Sequence, residues 1–425
     1  MRVLIVNTSE KTGGAALASN RLMTALNNEG VKAKMLVRDQ ETNQLTVVKL
    51  PHQTLKCWHF LWERWCIFLH LRLSRRHLFD LDIANIGSDI TSLPEYKEAD
   101  VIQLEWINQG MLSLKSIRKI LKSGKPLVWT MHDIWPATAI CHLALSCERF
   151  KDYCNFCPYL PDGGSTRDLS TKIWNRKKNV YSQGRIHFVT CSDWLGNQAR
   201  QSGLLKHFPI TTIPNPIDTK VFAPHNRKEA AERLGLPTDR KLILFASQRI
   251  TNANKGIQYL IDACKKMVKA QPEAKEQIGL VILGGHAEEL LDKFAFPTYS
   301  LGYVNDTSKI VDVYNAVDVF VLPSLSENLP NTIMEAMACG VPCVGFDVGG
   351  IPEMIDHLSN GFVARFKDSE SLAEGIQWIL NKSTDYEELS RKCIKKVHAH
   401  YAQGHVALRY IELYEQELSF KEKLK

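Results

Sequence analysis

The sequence predicts an α/β protein of two doubly wound domains with a helical C-terminal segment, and three observations predict it. The chain has 425 residues, close to three times the ~150 that serve as a prior for one domain. Short apolar runs alternate with stretches of helical periodicity over most of that length. The apolar runs are continuous rather than alternating, as in parallel strands buried on both faces.

In chain order, strands are expected at Val3–Val6, Lys34–Val37, Val101–Leu104, Leu127–Met131 and His187–Thr190, then at Leu242–Ala246, Leu280–Leu283, Val317–Leu322 and Pro342–Phe346. Helices are expected at Ala15–Asn28, Ser113–Lys122, Ile257–Val268 and Asn331–Ala338. The alternation pauses at TIPNPID, Thr212–Asp218, where two prolines flank Asn215 and mark a linker. The domains are therefore placed at 1–213 and 214–402. From Tyr386 the pattern is helical to the end, and 403–425 is read as a helix that packs back on the first domain.

Hydrophobic residues at 44% and charged residues at 23% exclude extended disorder. The net charge of +7 is unevenly spread: residues 1–215 hold 28 basic and 18 acidic side chains, a net +10, and 216–425 hold 25 and 28, a net −3. A basic first half points to an anionic partner, a phosphate-bearing substrate or a membrane surface, and is too mild to imply nucleic acid. The opening MRVLIVNTS reads as a buried strand and not as a signal peptide. The window Leu55–Leu73 is broken by Lys56, Glu63, Arg64 and Arg72 and does not read as a membrane span. Eleven cysteines without an export signal fit reduced thiols, and the expected location is the cytoplasm.

The densest motif is PSLSENLPNTIMEAMACGVPCVGFDVGGIPEMI, Pro323–Ile355. Glu327 lies in a loop after a strand and Glu335 eight residues on, inside the next helix. A helix N-terminus favours phosphate, and carboxylates accept hydrogen bonds from sugar hydroxyls. The pair of glutamates, the run Glu335-Ala336-Met337-Ala338-Cys339-Gly340-Val341-Pro342 and the Gly349-Gly350-Ile351-Pro352-Glu353 turn resemble the retaining glycosyltransferases of family 4. IPNPID, LGYVND and YNAVDVFVLPS extend that resemblance over nearly the whole chain.

The resemblance implies a GT-B fold, two Rossmann-like domains facing a cleft. The first would be the acceptor side and the second would bind a nucleotide-diphosphate sugar. Glu327 would hold hydroxyls of the transferred sugar and Glu335 the ribose. Where many members have Phe-Gly, this chain has Asn328-Leu329-Pro330, so the backbone N–H groups of Asn328 and Leu329 would face the donor while Pro330 has none to give.

SQRITNANKG, Ser247–Gly256, resembles the family's phosphate clamp, with Arg249 and Lys255 as its cations. Cations there would stabilise the charge that develops on a departing diphosphate. They would replace the magnesium of transferases with an Asp-x-Asp motif, so no cofactor is expected to be required. The resemblance also assigns Gly13 and Gly14 to the loop near donor and acceptor, and His132, before Asp133, to the neighbourhood of the reacting sugar.

Two segments stand apart. Cys141, Cys147, Cys154 and Cys157 fall within seventeen residues and end in C-x-x-C, a spacing compatible with a structural zinc or with free thiols. A subset of the family carries a similar insertion. In LKCWHFLWERWCIFLHLRLSRRHL, Trp58, Trp62, Trp65 and Leu69 share one helical face beside Lys56, Arg64, Arg72, Arg75 and Arg76. The stripe is read as core packing, although such a helix also suits docking on a membrane surface.

The expected protein is thus a retaining glycosyltransferase acting on a carbohydrate or lipid-linked carbohydrate acceptor in bacterial-type surface polysaccharide assembly. It would be cytoplasmic or peripheral on the inner face of the membrane. The rival readings are a sugar-nucleotide epimerase on the same fold and a zinc-dependent binding protein with a relic transferase site.

Overall fold

The structure is a computed structural model that describes residues 1–51, 53–381 and 383–423. The chain forms two compact units, residues 1–216 with 404–425, and residues 217–403.

The first unit runs β1 (Arg2–Ser9), α1 (Gly14–Asn28), β2 (Lys32–Asp39), β3 (Val47–Lys49), α2 (Gln53–His70), α3 (Pro94–Glu98), β4 (Val101–Leu104), α4 (Leu114–Lys122), β5 (Leu127–Met131), α5 (Leu169–Tyr181), β6 (His187–Thr190), α6 (Asp193–Gln201) and β7 (Ile210–Thr212). Its sheet has the order β3-β2-β1-β4-β5-β6-β7. Every pairing in it is parallel.

The alternation of side chains across a strand explains why the apolar runs are continuous. Leu4 and Val6 of β1 enter a core with Ile67 of α2, Ile117 and Ile120 of α4 and Trp174 of α5. Val3 and Ile5 enter another with Leu22 and Leu26 of α1 and with Tyr410 and Tyr414 near the C-terminus.

The second unit contains α7 (Arg227–Arg233), β8 (Lys241–Arg249), α8 (Ile257–Ala270), α9 (Ala274–Gln277), β9 (Ile278–Gly285), β10 (Thr298–Gly302) and α10 (Thr307–Ala316). It continues with β11 (Val319–Leu322), α11 (Asn331–Ala338), β12 (Cys343–Phe346), α12 (Ile351–Met354), β13 (Gly361–Ala364), α13 (Ser369–Leu380) and α14 (Tyr386–His400). Its parallel sheet has the order β10-β9-β8-β11-β12-β13. Ile243 and Phe245 of β8 pack with Leu260 and Ile261 of α8 and Leu372 and Ile376 of α13.

The final helix α15 (Gln403–Lys423) is counted with the first unit from Gly404 onward; residues 424 and 425 lie outside the described residues. Glu417 fastens it: its carboxylate accepts two hydrogen bonds from Arg185, both 2.9 Å, and one from His187 Nδ1 at 2.8 Å. Burial alone would raise the Glu417 carboxyl, but Arg185 and His187 outweigh it and hold it down at about 2.

Glu417→Ala should cost roughly 2–4 kcal/mol, less than a fully buried pair because Arg185 is 40% exposed. Because the folded value is depressed, this contribution is complete above the ordinary glutamate range and fades as pH falls toward 2. Urea unfolding at neutral and acid pH checks it: the gap between wild type and variant should narrow in acid.

Candidate active site

Each sheet changes winding direction at one place, and ligands of doubly wound sheets gather at the strand ends there. In the second unit that place lies between β8 and β11, and in the first between β1 and β4. Gly13 and Gly14 follow β1, Arg249 ends β8 and Lys255 follows it, and Glu327 follows β11, at those ends.

In the second unit, the loop after β8 carries Arg249 and Lys255, and the loop after β11 carries Glu327. Lys255 Nζ donates to Glu327 Oε1 at 2.5 Å, with the two side chains 28% and 14% exposed. The two loops are tied together directly. Leu325 N–H donates to the carbonyl of Asn254 at 2.8 Å, and Asn254 Nδ2 donates to the carbonyl of Ser326 at 3.0 Å.

Two glycines permit this closeness. A Cβ on Gly256 would lie 1.8 Å from the Pro323 carbonyl oxygen, and one on Gly349 would lie 1.7 Å from that of Glu327. Both have positive φ, so any side chain there would meet strain and collision together. The Gly349-Gly350 turn is therefore a backbone rest for the Glu327 loop. Arg249 is exposed at the end of β8, its Nε 3.2 Å from Thr251 Oγ1.

Glu335 is buried in α11 and its Oε2 accepts a 2.9 Å hydrogen bond from the hydroxyl of Tyr314. Burial first, and the Glu335 charge second, push the Tyr314 phenol well above its usual range, so it stays a donor and fixes the carboxylate's rotamer. Sequence reasoning did not assign Tyr314; the signal was its place in YNAVDVFVLPS. In the loop before α11, Leu329 is buried and Asn328 is half-buried, and Pro330 occupies the position that caps the helix.

In the first unit, Gly13 and Gly14 lie at the carboxyl end of β1, where Gly13 precedes and Gly14 begins α1. His132 follows β5. Its Nε2 lies 2.6 Å from Glu105 Oε2, and its Nδ1 lies 3.7 Å from Cys191 Sγ. Burial alone would push the imidazole down, but Cys191 and Glu105 outweigh it and raise it to about 10. His132 is thus an imidazolium at neutral pH, with both ring nitrogens directed at protein groups.

Glu105 was not found in the sequence, although an acid directly after the apolar run Val101–Leu104 marks a strand end. It is held in turn by Gln103 Nε2 at 2.9 Å, and Tyr414 of α15 donates to Gln103 Oε1 at 3.1 Å. Asp133 plays a structural part: it accepts hydrogen bonds from the Trp135 backbone, Trp106 Nε1 and His142 Nδ1, each 2.8 Å.

Glu105→Gln keeps an acceptor for His132 but removes the charge. Turnover should fall by on the order of tenfold, toward the lower end of the ~1.5–3 kcal/mol of a charged hydrogen bond. The pH profile should also gain an inflection at lower pH as His132 loses its proton more readily. The raised His132 stabilises the fold below its ordinary range near 6.5 and ceases to as pH rises through about 10. An unchanged profile would remove Glu105 from this role.

Two sequence expectations need correction. Cys141, Cys147, Cys154 and Cys157 do line one small cavity of about 20 Å³. Among the described residues, however, no group of three or more His, Cys, Asp or Glu is arranged to hold a metal ion. The structural zinc is therefore unsupported, and burial pushes the Cys154 and Cys157 thiols up to about 12 and about 11. The tryptophan stripe of α2 is not core either: Trp58, Trp62 and Trp65 are 54%, 41% and 50% exposed.

Residues 226–399 match the family model described as glycosyl transferases group 1. An uncharacterized glycosyltransferase of Methanocaldococcus jannaschii is 33% identical over 189 residues, 43% of this chain and 46% of the relative. The chain spans about half the length of the curated relatives it matches. Among solved structures, sucrose-phosphate synthase from Thermosynechococcus elongatus aligns with a TM-score of 0.67 at 19% identity, over 98% of this chain and 99% of that one. Anabaena HepE in complex with UDP-glucose aligns with a TM-score of 0.63 at 17% identity, over 98% and 100%. By sequence the second unit is similar to the group 1 glycosyl transferases, and by fold the chain resembles these solved structures, with two α/β units each built on a parallel sheet.

Proposed function

We propose that the protein is a retaining glycosyltransferase that moves a sugar from a nucleotide-diphosphate sugar to a carbohydrate or lipid-linked carbohydrate acceptor. The observation that carries this reading is the pairing of Lys255 with Glu327 at the switch point of the second sheet. A cation suited to a diphosphate and one carboxylate suited to sugar hydroxyls meet in that pair of loops, and Glu335 lies in the helix that follows. The fold likeness to HepE, whose structure holds UDP-glucose, supports the donor class.

In this reading Arg249 and Lys255 take the diphosphate, Glu327 the sugar, and Glu335 the ribose, while Asn328 and Leu329 turn backbone N–H groups to the donor. The bond between the anomeric carbon and the phosphate oxygen breaks as the acceptor oxygen bonds to the same face. The acceptor proton passes to the departing phosphate. Gly13, Gly14 and the charged His132 act from the first unit. The positive imidazolium serves as an electrostatic group rather than as a base, because its nitrogens already carry protons at neutral pH. No catalytic metal is needed, the setting is surface polysaccharide assembly, and the protein works in the cytoplasm or peripherally at the inner face of the membrane.

A screen of nucleotide-sugars, with products identified by mass and their anomeric configuration by proton NMR, tests the proposal. Transfer with retention is expected. Release of an altered free sugar or sugar nucleotide without an acceptor would favour the epimerase reading.

A further inference from the structure

Helix α2 is built inside out. Leu55, Trp58, Leu61, Trp62, Trp65 and Leu69 are all exposed, and at 3.6 residues per turn they occupy roughly one third of the helix circumference. Trp58 and Trp62 stack at 5.6 Å between ring centroids. Two charged residues of the same helix, Glu63 and Arg64, face inward instead: Glu63 is fully buried and Arg64 nearly so.

The inward face explains why the helix cannot roll to hide its tryptophans. Glu63 Oε1 accepts the N–H groups of Ile83 at 3.1 Å and Ala84 at 2.6 Å. Arg64 donates to the carbonyls of Leu78 and Leu81 at 2.7 and 3.0 Å and to Asp82 Oδ2 at 3.1 Å, and Asp82 is itself fully buried. Turning the tryptophans in would strip the buried Arg64 and Asp82 charges of each other and leave the N–H groups of Ile83 and Ala84 without their acceptor. The packing holds the apolar face outward.

A contiguous face of this kind marks an interaction surface. Its surroundings are basic. The turn that follows the helix exposes Arg72, Arg75 and Arg76, of which Arg72 pairs with Asp162, and residues 1–215 carry a net +10. The side chain of Lys56 lies outside those described. Among the described residues no helix is long and apolar enough to cross a membrane. Tryptophan favours the headgroup level of a bilayer, where its ring is buried and its N–H stays wet.

We infer that the outward face of α2 docks the chain on an anionic lipid surface, lying in the interface with its arginines among the headgroups. Anionic lipid supplies the opposite charge, whereas a second copy would bring the same basic charge to the contact. The inference deepens the lipid-borne acceptor reading and rests on it for its biological use, though the binding itself does not depend on catalysis.

Sedimentation of the full chain with vesicles tests it. Wild type should pellet with mixed phosphatidylcholine–phosphatidylglycerol vesicles and bind those of phosphatidylcholine alone about tenfold less tightly or worse. Replacing Trp58, Trp62 and Trp65 together by Ser should weaken binding by about tenfold or more, with thermal unfolding and donor hydrolysis in solution unchanged. Arg75→Ser with Arg76→Ser should abolish the preference for anionic vesicles while leaving the weaker binding.

Wild type that ignores anionic vesicles, or a tryptophan variant that binds like wild type, overturns the inference. So does a wild-type dimer that the tryptophan variant dissolves into monomers. Vesicle binding without any donor turnover would instead count against the transferase reading and leave this one standing.

Discussion

Lys255→Ala should lower turnover by on the order of 10²–10³-fold, the loss typical when one donor aimed at developing charge is removed. Donor affinity should fall far less, because the lysine acts most strongly on the diphosphate as its bond to the sugar breaks. The structure adds a second component that the sequence did not disclose. Lys255 is also the ion-pair partner of Glu327 at 2.5 Å, so its loss leaves that carboxylate, 14% exposed, without its cation. The effects of Lys255→Ala and Glu327→Gln should therefore be strongly non-additive, and a double-mutant cycle reads the coupling. Wild-type kcat in Lys255→Ala would remove the lysine from the chemistry.

Glu335→Gln should weaken donor binding by roughly 1.5–3 kcal/mol, the contribution of a hydrogen bond to a charged group, or on the order of 10–150-fold. Folding should be nearly untouched. A glutamine carbonyl can still accept the Tyr314 hydroxyl hydrogen bond that Glu335 accepts at 2.9 Å, so the buried phenol keeps its partner. Titration calorimetry with the donor, beside thermal unfolding, separates the two effects. Unchanged affinity would mean that the carboxylate serves Tyr314 and the helix rather than the donor.

The sequence disclosed the interior of both sheets and little of their margins. The strands β1, β2, β4, β5 and β6 and, in the second unit, β8, β9, β11 and β12 correspond to continuous apolar runs. The four unread strands, β3, β7, β10 and β13, are the edges of the two sheets. An edge strand is paired on one side only, and these are three to five residues long. Segments such as Ile210–Thr212 and Thr298–Gly302 are half-exposed, so burial never imposed an apolar run on them.

The site shows the same division. The candidates Glu327, Glu335, Arg249 and Lys255 could be singled out in the sequence because they are spaced within continuous motifs. Glu105, Tyr314 and Cys191 were not, because they reach His132 or Glu335 from elements far away in the chain. Helix α2 is the sharpest case. Its periodicity correctly put Trp58, Trp62, Trp65 and Leu69 on one face, but which face turned inward was decided by Asp82 and the backbone of Ile83 and Ala84, which the pattern of the helix itself cannot express. In the cysteine segment, C-x-x-C spacing fits metal ligation and buried thiols equally, and only the fold could distinguish them.

The most direct test of the central claim is titration of the wild-type chain and Lys255→Ala with UDP, GDP, TDP and ADP in EDTA. One nucleoside diphosphate should bind wild type without metal, with its phosphates reporting on Lys255 by a phosphorus NMR shift that the variant loses. Binding of none of them, or binding that appears only when magnesium is restored, would contradict a donor site built from Arg249, Lys255, Glu327 and Glu335.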